Sequence, residues 1–459
     1  MKFHGRKEQL EKIHREIISD RMSIVMIYGR RRVGKSELIK QTIKNEKIRS
    51  IYYECKQTTE MNNITSLNAI LSETFDLPKL GFSGMEELIE YIFKLSENEK
   101  IIFVLDEYSF LRTAVKGLDS IIQSLIDKYK NRSLIKFFLL GSYVDTMKEL
   151  LEHSNPLYGR IDKIIHLKPM DYYESAQFYP GFSDENKVRI FSVFGGIPYY
   201  NSLIDDSRTV QENITELVAS PGARLENEVS MYLKTEIAKM INANEVFEVL
   251  AQGFSRFSDI LSKSHVSSAP TLADVLEKLI KMEVVRKEAP INDEKNRRKT
   301  GYVICDNLSL FYYRYVFRFS SQMNIMDPLK FYEKYIASDF EERYIPVQFE
   351  EICRQFLIRE NIAGNIDPVI EKIGKYYFDD PVAHKNGEFD IVTQDEKGYT
   401  FYEVKLKKQP LSTSVMLQEI EQVKACGLDC YQYGFFSKSG YTEKSIPNIK
   451  YFELPDLYR

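Results

Sequence analysis

Short apolar runs interrupt a mostly polar background through the first 170 residues. Ile24 to Tyr28, Ile101 to Leu105, the core of LIKFFLLG ending at Gly141, and KIIHLKPM at 163–170 each suit a buried strand better than a helix. The last of these is expected as a fourth inner strand. Helical patterns separate the runs, and that alternation predicts a parallel α/β sheet with ligands at the strand C-termini. From 171 to 242 the rhythm is helical, as in a lid over such a sheet. Between 243 and 305 it changes again. NEVFEVLAQG and FSDILSKS predict short helices, and SAPTLADVLEKLIKM a longer one with Leu272, Val275, Leu276, Leu279 and Ile280 on one face. EVVRKEAP and GYVICD then pair around INDEKNRRKT, which completes a winged helix-turn-helix pattern. Residues 306–340 form an aromatic-rich connector. In the remainder, FEEICRQFLIREN gives an amphipathic helix with Phe349, Ile352, Cys353, Phe356 and Leu357 in its stripe. Strands at 388–392 and 400–406 flank the turn-rich TQDEKG as a hairpin.

These segments define a multidomain α/β protein: a P-loop core at 1–170, a helical lid at 171–242, a winged helix at 243–305, the connector at 306–340 and an α/β domain at 341–459. A chain of 459 residues exceeds one core, and 43% hydrophobic with 13% aromatic residues is ample for several. No apolar run reaches membrane-spanning length, and MKFHGRKEQLEK is too polar for a secretory signal. Five cysteines without a paired framework fit a reduced, cytoplasmic setting. Cys426 and Cys430 lack the second ligand pair of a zinc site.

The most specific chemistry lies at Gly29-Arg30-Arg31-Arg32-Val33-Gly34-Lys35-Ser36, which fits GxxxxGK[ST] between a buried strand and a helix starting near Glu37. Glycines let backbone N–H groups turn inward around phosphates, and the helix N-terminus adds partial positive charge. Lys35 then reaches the β- and γ-phosphates of ATP, and Ser36 ligates Mg²⁺. Phosphate cradling does not require the three arginines, which either face solvent or meet an acidic partner or nucleic acid. After the strand at 101–105, Asp106 is placed to hold Mg²⁺ through water and Glu107 to polarise the attacking water. Ser142, past the next strand, either senses the γ-phosphate or caps the following helix.

FHGRKEQL at 3–10, PLYGRI at 156–161 and GGIPYY at 195–200 resemble stretches of the prokaryotic AAA+-like and STAND-type ATPases. The resemblance implies that Gly5 and Arg6 help hold the adenine, and that Gly196 and Pro198 of the lid contact the nucleotide. It also implies a γ-phosphate-sensing role for Arg160, whose bland alternative is a surface arginine at a helix end.

Charge bears on partners. The net charge of −4 is no footprint for a dedicated nucleic-acid binder. The wing tip is basic, with Lys295, Arg297, Arg298 and Lys299, and is the place where DNA would be met. Yet residues 243–305 hold ten Lys/Arg against nine Asp/Glu, so DNA binding and an intramolecular or protein contact stand equal. For the aromatics of DNLSLFYYRYVFRF, docking between domains outweighs base stacking.

In the last segment Glu388 and Asp390 share a strand face, as do Glu403 and Lys405 on the next strand. If the register aligns them, Asp390 and Glu403 converge beside Lys405. An acid followed by (D/E)-x-K resembles the PD-(D/E)xK nucleases, the restriction-endonuclease-like fold. There, carboxylates hold Mg²⁺ and the lysine positions or deprotonates water. Asp390, Glu403 and Lys405 would take those roles, with Glu350 as a further metal ligand from the preceding helix. No proline directly precedes the acid. Fifteen Lys/Arg against twenty Asp/Glu in 341–459 disfavour DNA approach. The expectation is an ATP-hydrolysing switch or motor coupled to a DNA-associated, Mg²⁺-dependent nuclease domain. The alternative is a nucleotide-gated DNA- or protein-binding regulator with an inactive nuclease-like module. A protein partner or a second copy is also open, and a membrane is not.

Overall fold

The computed structural model describes residues 3–44, 46–229, 242–296, 298–380, 385–428 and 430–459. The expected lid residues at 230–241, the wing residue Arg297 and Pro381 lie outside the described residues. The chain divides into two compact units.

The first unit comprises Met1–Pro169 and Ile197–Tyr199. Its strands are β1 (Ser23–Tyr28), β2 (Arg49–Glu54), β3 (Ile101–Asp106), β4 (Lys136–Gly141) and β5 (Lys163–His166). They form one parallel sheet in the order β2-β3-β4-β1-β5. Every residue of β1, β3 and β4 is buried, as apolar strands covered on both faces must be. Phe103 stacks on Phe137 across β3 and β4 at 4.8 Å. Burying each such ring contributes about 1.5–3 kcal/mol relative to exposure.

One expectation needs correction, and one strand went unpredicted. KIIH forms an edge strand and not an inner one: Ile164 is 45% exposed, because β5 pairs only with β1. The other edge, β2, gave no continuous apolar run, since only Ile51 and Tyr53 turn inward.

The second unit comprises Met170–Gly196 and Tyr200–Arg459. Its described helices before residue 230 include Asp184–Phe194 and Val210–Leu217, the latter started by a capping box between Thr209 and Glu212. Helices Ala243–Ala251, Phe257–Lys263 and Ala269–Lys281 precede the antiparallel pair β6 (Val285–Glu288) and β7 (Gly301–Ile304). Leu272, Val275, Leu276 and Leu279 are buried as their spacing requires, and Ile280 is half-buried. The connector runs through helix Asn307–Phe311 into a π-helical turn at Tyr312–Phe317. Phe311 meets Tyr315, Phe340 and Tyr344 at 5.0–6.1 Å, so these rings pack inside the unit.

The C-terminal sheet orders β12 (Ile449–Glu453), β11 (Cys430–Ser437), β10 (Gly398–Lys405), β9 (Lys385–Asp395) and β8 (Lys372–Asp380). β8, β9 and β10 run as an antiparallel meander, then β11 and β12 continue parallel to β10. Helix Ile345–Ile362 precedes the sheet, and Thr413–Ala425 makes the crossover to β11.

The segment between β6 and β7 lies along the edge strand β8. Ile291 N–H donates to the Lys375 carbonyl at 2.8 Å. The Asn292 side chain donates to the Tyr377 carbonyl at 2.7 Å and accepts from its N–H at 3.1 Å. Glu294 pairs with Lys372 at 2.8 Å, and the Lys299 ammonium sits 4.1 Å from the Tyr377 ring centroid. The intramolecular contact weighed in the sequence is therefore formed.

Candidate nucleotide and carboxylate–lysine sites

The loop after β1 turns tightly because its backbone adopts conformations few side chains allow. Gly29 has φ of 156°, and a Cβ there would stand 2.2 Å from the Leu167 carbonyl oxygen. Arg32 also takes positive φ, at 66°, and its guanidinium lies 4.1 Å from the Tyr199 ring centroid. Pro198 packs near Gly34. Arg30 and Val33 are buried while Arg31 is exposed, so the three arginines have different surroundings. Helix Lys35–Ile43 begins directly after Gly34. Glu37, in its first turn, is an exposed side chain.

The strand order sets the chemistry. With β4 between β1 and β3, its C-terminal Ser142 comes between the phosphate loop and Glu107. Lys35 is buried and donates to the Gly29 carbonyl at 2.9 Å, the Arg30 carbonyl at 3.2 Å and Ser142 Oγ at 2.9 Å. Ser142 donates through its hydroxyl to Glu107 Oε1 and through its N–H to Oε2, the latter at 3.2 Å. Glu107 itself holds a left-handed backbone, φ 51°, a conformation that non-glycine residues adopt at some cost. The helix that follows Ser142 has no side-chain cap.

Ser36 donates to Asp106 Oδ2 at 2.6 Å, and Asp106 is 2% exposed. Tyr52 on β2 donates to the same oxygen. Burial and then the Asp106 charge push the Tyr52 phenol well above its usual pKa, so it stays a donor. The sequence reading missed Tyr52 because its strand carried no apolar run. Hard oxygen donors at Ser36 and Asp106 fit Mg²⁺.

Gly5 and Arg6 both have positive φ, 63° and 61°. That turn sends Arg6 inward, where it donates to the Lys168 carbonyl at 2.7 Å and the Val33 carbonyl at 3.4 Å. Tyr28 and His166 stack at 4.6 Å with parallel rings at the ends of β1 and β5. Arg160 forks onto Asp127 at 2.9–3.2 Å and also donates to the Pro156 and Tyr158 carbonyls. These bonds give it a partner other than the phosphate loop. In the second unit, Gly196 passes so close to Met170 that a Cβ would stand 1.8 Å from the Met170 carbonyl oxygen. Its own carbonyl accepts from Met170 N–H at 2.8 Å.

The C-terminal acids gather on β9 and β10. Pairing runs from Gly398↔Asp395 to Tyr402↔Ile391, so Asp390 and Glu403 lie just past the end of the paired stretch on adjacent strands, close enough for the Asp390 charge to act on Glu403. Where β9 meets β8, two β9 residues, Asp390 and Ile391, oppose Lys375 in a bulge. Lys375 reaches Glu388 at 2.8 Å and Asp390 at 3.1 Å. Lys405 reaches Glu403 at 2.5 Å and Glu419, on helix Thr413–Ala425, at 2.9 Å. Sequence spacing singled out neither Lys375 nor Glu419. Burial, with Asp390 and Glu403 nearby, pushes the Glu350 carboxyl up to about 8. Burial also raises Glu403, with Lys405 opposing. Among the described residues no three His, Cys, Asp or Glu side chains are grouped as a metal site. The expected ligands Glu350, Asp390 and Glu403 are instead interleaved with two lysines. On helix Ala269–Lys281, Lys278 pairs with Asp274 at 2.8 Å and Lys281 with Glu277 at 3.0 Å, and between β6 and β7 Lys299 pairs with Asp293 at 3.1 Å. Arg298 is exposed.

Residues 3–203 match a family described as an ATPase domain predominantly from Archaea. Residues 312–422 match a family of archaeal and bacterial proteins of unknown function. An uncharacterized protein of Methanocaldococcus jannaschii is 25% identical over 94% of each chain. An uncharacterized ATP-binding protein of the same organism is 24% identical over 52% of this chain and 76% of its own. A Walker-type ATPase of Pyrococcus abyssi superposes with a TM-score of 0.52 at 20% identity, covering 68% of this chain and 96% of that one. The parallel sheet with its phosphate loop has a P-loop ATPase fold, and residues 3–203 are similar to ATPase domains of this archaeal type. No described helix is long and apolar enough to cross a membrane.

Proposed function

We propose that the chain binds and hydrolyses ATP with Mg²⁺ as an AAA+/STAND-like switch, and that the switch acts on a nuclease-like C-terminal domain. The observation that carries the ATPase reading is the hydrogen-bonded chain Lys35–Ser142–Glu107 beside the Ser36–Asp106 pair. Mg²⁺ held there supplies charge neutralisation on the phosphates. Lys35, now satisfied by two loop carbonyls and Ser142, would exchange them for phosphate oxygens. Losing Lys35 as a donor frees Ser142 to turn toward the γ-phosphate. Glu107, relieved of part of its hold, accepts a proton from the attacking water. Gly5, Arg6 and Pro198 line the base side, following the family resemblance. Hydrolysis by wild type and not by Lys35→Ala tests this. A wild-type protein with neither nucleotide binding nor hydrolysis overturns it.

For the C-terminal domain, the helix, the antiparallel meander and the crossover to a parallel strand support the PD-(D/E)xK reading, with Asp390 and Glu403 on adjacent strands and Lys405 beside Glu403. Glu350, Asp390 and Glu403 would hold Mg²⁺ once it displaces the lysines. A second reading, a nucleotide-gated regulator with an inactive module, is favoured by one observation: Lys375 and Lys405 already pair with Glu388, Asp390, Glu403 and Glu419. Metal-dependent cleavage lost in both Asp390→Ala and Glu403→Ala supports the nuclease. Absence of cleavage on plasmid, single-stranded DNA and RNA supports the regulator. Three helices and a two-stranded wing support the winged-helix name. The paired charges of helix Ala269–Lys281 argue for an intramolecular role over groove binding.

A further inference from the structure

Part of the carboxylate–lysine site, Glu350, Lys375, Glu388 and Asp390, lines a cleft of about 480 Å³ within the second unit. Glu350, Lys375 and Asp390 line one side of it. The winged segment faces them with Arg286 and Tyr302, and Arg343 comes from the turn before helix Ile345–Ile362. The far wall is fixed, because Ile291, Asn292, Glu294 and Lys299 join the wing to β8 on either side of Lys375. Gly374 contributes to that fit: a Cβ there would stand 2.8 Å from Ile291.

From this enclosure we infer that the site takes a single polynucleotide strand and excludes duplex. The inference rests on the nuclease-like reading of the same site. A duplex presents a major groove alone ~12 Å wide, with a second strand beyond it, and needs an open face to lie on. A strand of a few nucleotides needs only a slot with a cation for the backbone and a ring for a base. Tyr302 supplies a half-buried ring. Arg343 supplies a cation whose side chain is 78% exposed, 3.9 Å from Asp339. Arg286 and Arg354 are instead committed to Glu351, at 3.1 and 2.7 Å. With its acids and bases balanced, the cleft has no strong field to draw in a duplex from solution.

The test is fluorescence anisotropy of the full chain with labelled oligothymidine, oligouridine and a blunt duplex of similar length, in EDTA. Binding of either single strand at least about tenfold tighter than duplex is expected, and the oligothymidine and oligouridine arms separate DNA from RNA as its source. Arg343→Glu should weaken single-strand binding several-fold at unchanged melting temperature, and lower its salt slope by about one. Asn292→Ala, which loosens the wing, should narrow the preference. Equal or tighter duplex binding overturns the inference, as does binding of neither form. Single-strand preference without cleavage in Mg²⁺ or Mn²⁺ keeps the inference and removes the nuclease. Asp390-dependent cleavage of duplex and single strand at equal rates does the reverse.

Discussion

The Tyr52 hydroxyl and the Ser36 hydroxyl both end on Oδ2 of Asp106, so a residue of an edge strand holds the carboxylate proposed to meet Mg²⁺. Removing the phenolic oxygen in Tyr52→Phe takes away one hydrogen bond to a charged acceptor, worth about 1.5–3 kcal/mol in general. The expected outcome is a several-fold higher Mg²⁺ requirement for ATP hydrolysis, with the Kd for metal-free nucleotide little changed. Magnesium titrations of hydrolysis at saturating ATP check it. An unchanged requirement removes Tyr52 from the site.

Glu107→Gln should separate binding from chemistry. The amide keeps its place beside Ser142 but takes no proton, so kcat should fall about 10²–10⁴-fold with ATP affinity retained. Single-turnover hydrolysis beside a nucleotide-binding titration gives both values. A loss of binding as large as the loss of rate would assign Glu107 to the fold of the loop instead.

How much of this was legible follows from what each residue does alone. The phosphate loop and Asp106-Glu107 were legible because local spacing and a buried strand suffice to define them. The core strands and the stripe of helix Ile345–Ile362 were legible from their periods. Tyr52 was not, because edge strand β2 buries only two of its residues. Lys375 was not, because it reaches Asp390 through a bulge, and a bulge breaks the two-residue period on which face assignments rest. The wing looked basic in the sequence. Its docking on β8 depends on pairing residues some 80 positions apart, as Asn292 with Tyr377, which no local pattern encodes.

Lys136 provides a pH test away from both sites. It is fully buried at the start of β4, donating to Ser19 Oγ at 2.6 Å and to the Arg21 carbonyl. Burial first, then Lys100, lowers its pKa to about 8 from 10.5. The unfolded chain therefore binds the proton more tightly than the folded one. The resulting penalty is fully present below about pH 8 and fades as pH rises toward 10.5. Wild-type stability should gain over that window relative to Lys136→Met. Chemical denaturation of both proteins at pH 7 and pH 10 measures it, and parallel pH slopes would contradict the assignment.

Gly196→Ala should be severely destabilising, because the new methyl would meet backbone at Met170, which cannot rotate away. Overpacking generally costs about 1–3 kcal/mol, and a backbone clash this close lies at or above the upper end. The change should appear as a fall in melting temperature of several degrees. Gly159→Ala is the control: no atom lies within 4 Å of its added carbon, though its φ of 71° adds a smaller strain.

The seam between the wing and β8 also governs how the chain can be divided. β8 ends its sheet, and an uncovered end strand offers a row of N–H and C=O groups to any passing strand. Residues 341–459 expressed alone would present that row, bordered by the aromatic rings of Tyr376 and Phe378, as a template for self-association. In the intact chain the segment between β6 and β7, made earlier in synthesis, already lies along that row, so the two parts should be kept together when the chain is divided.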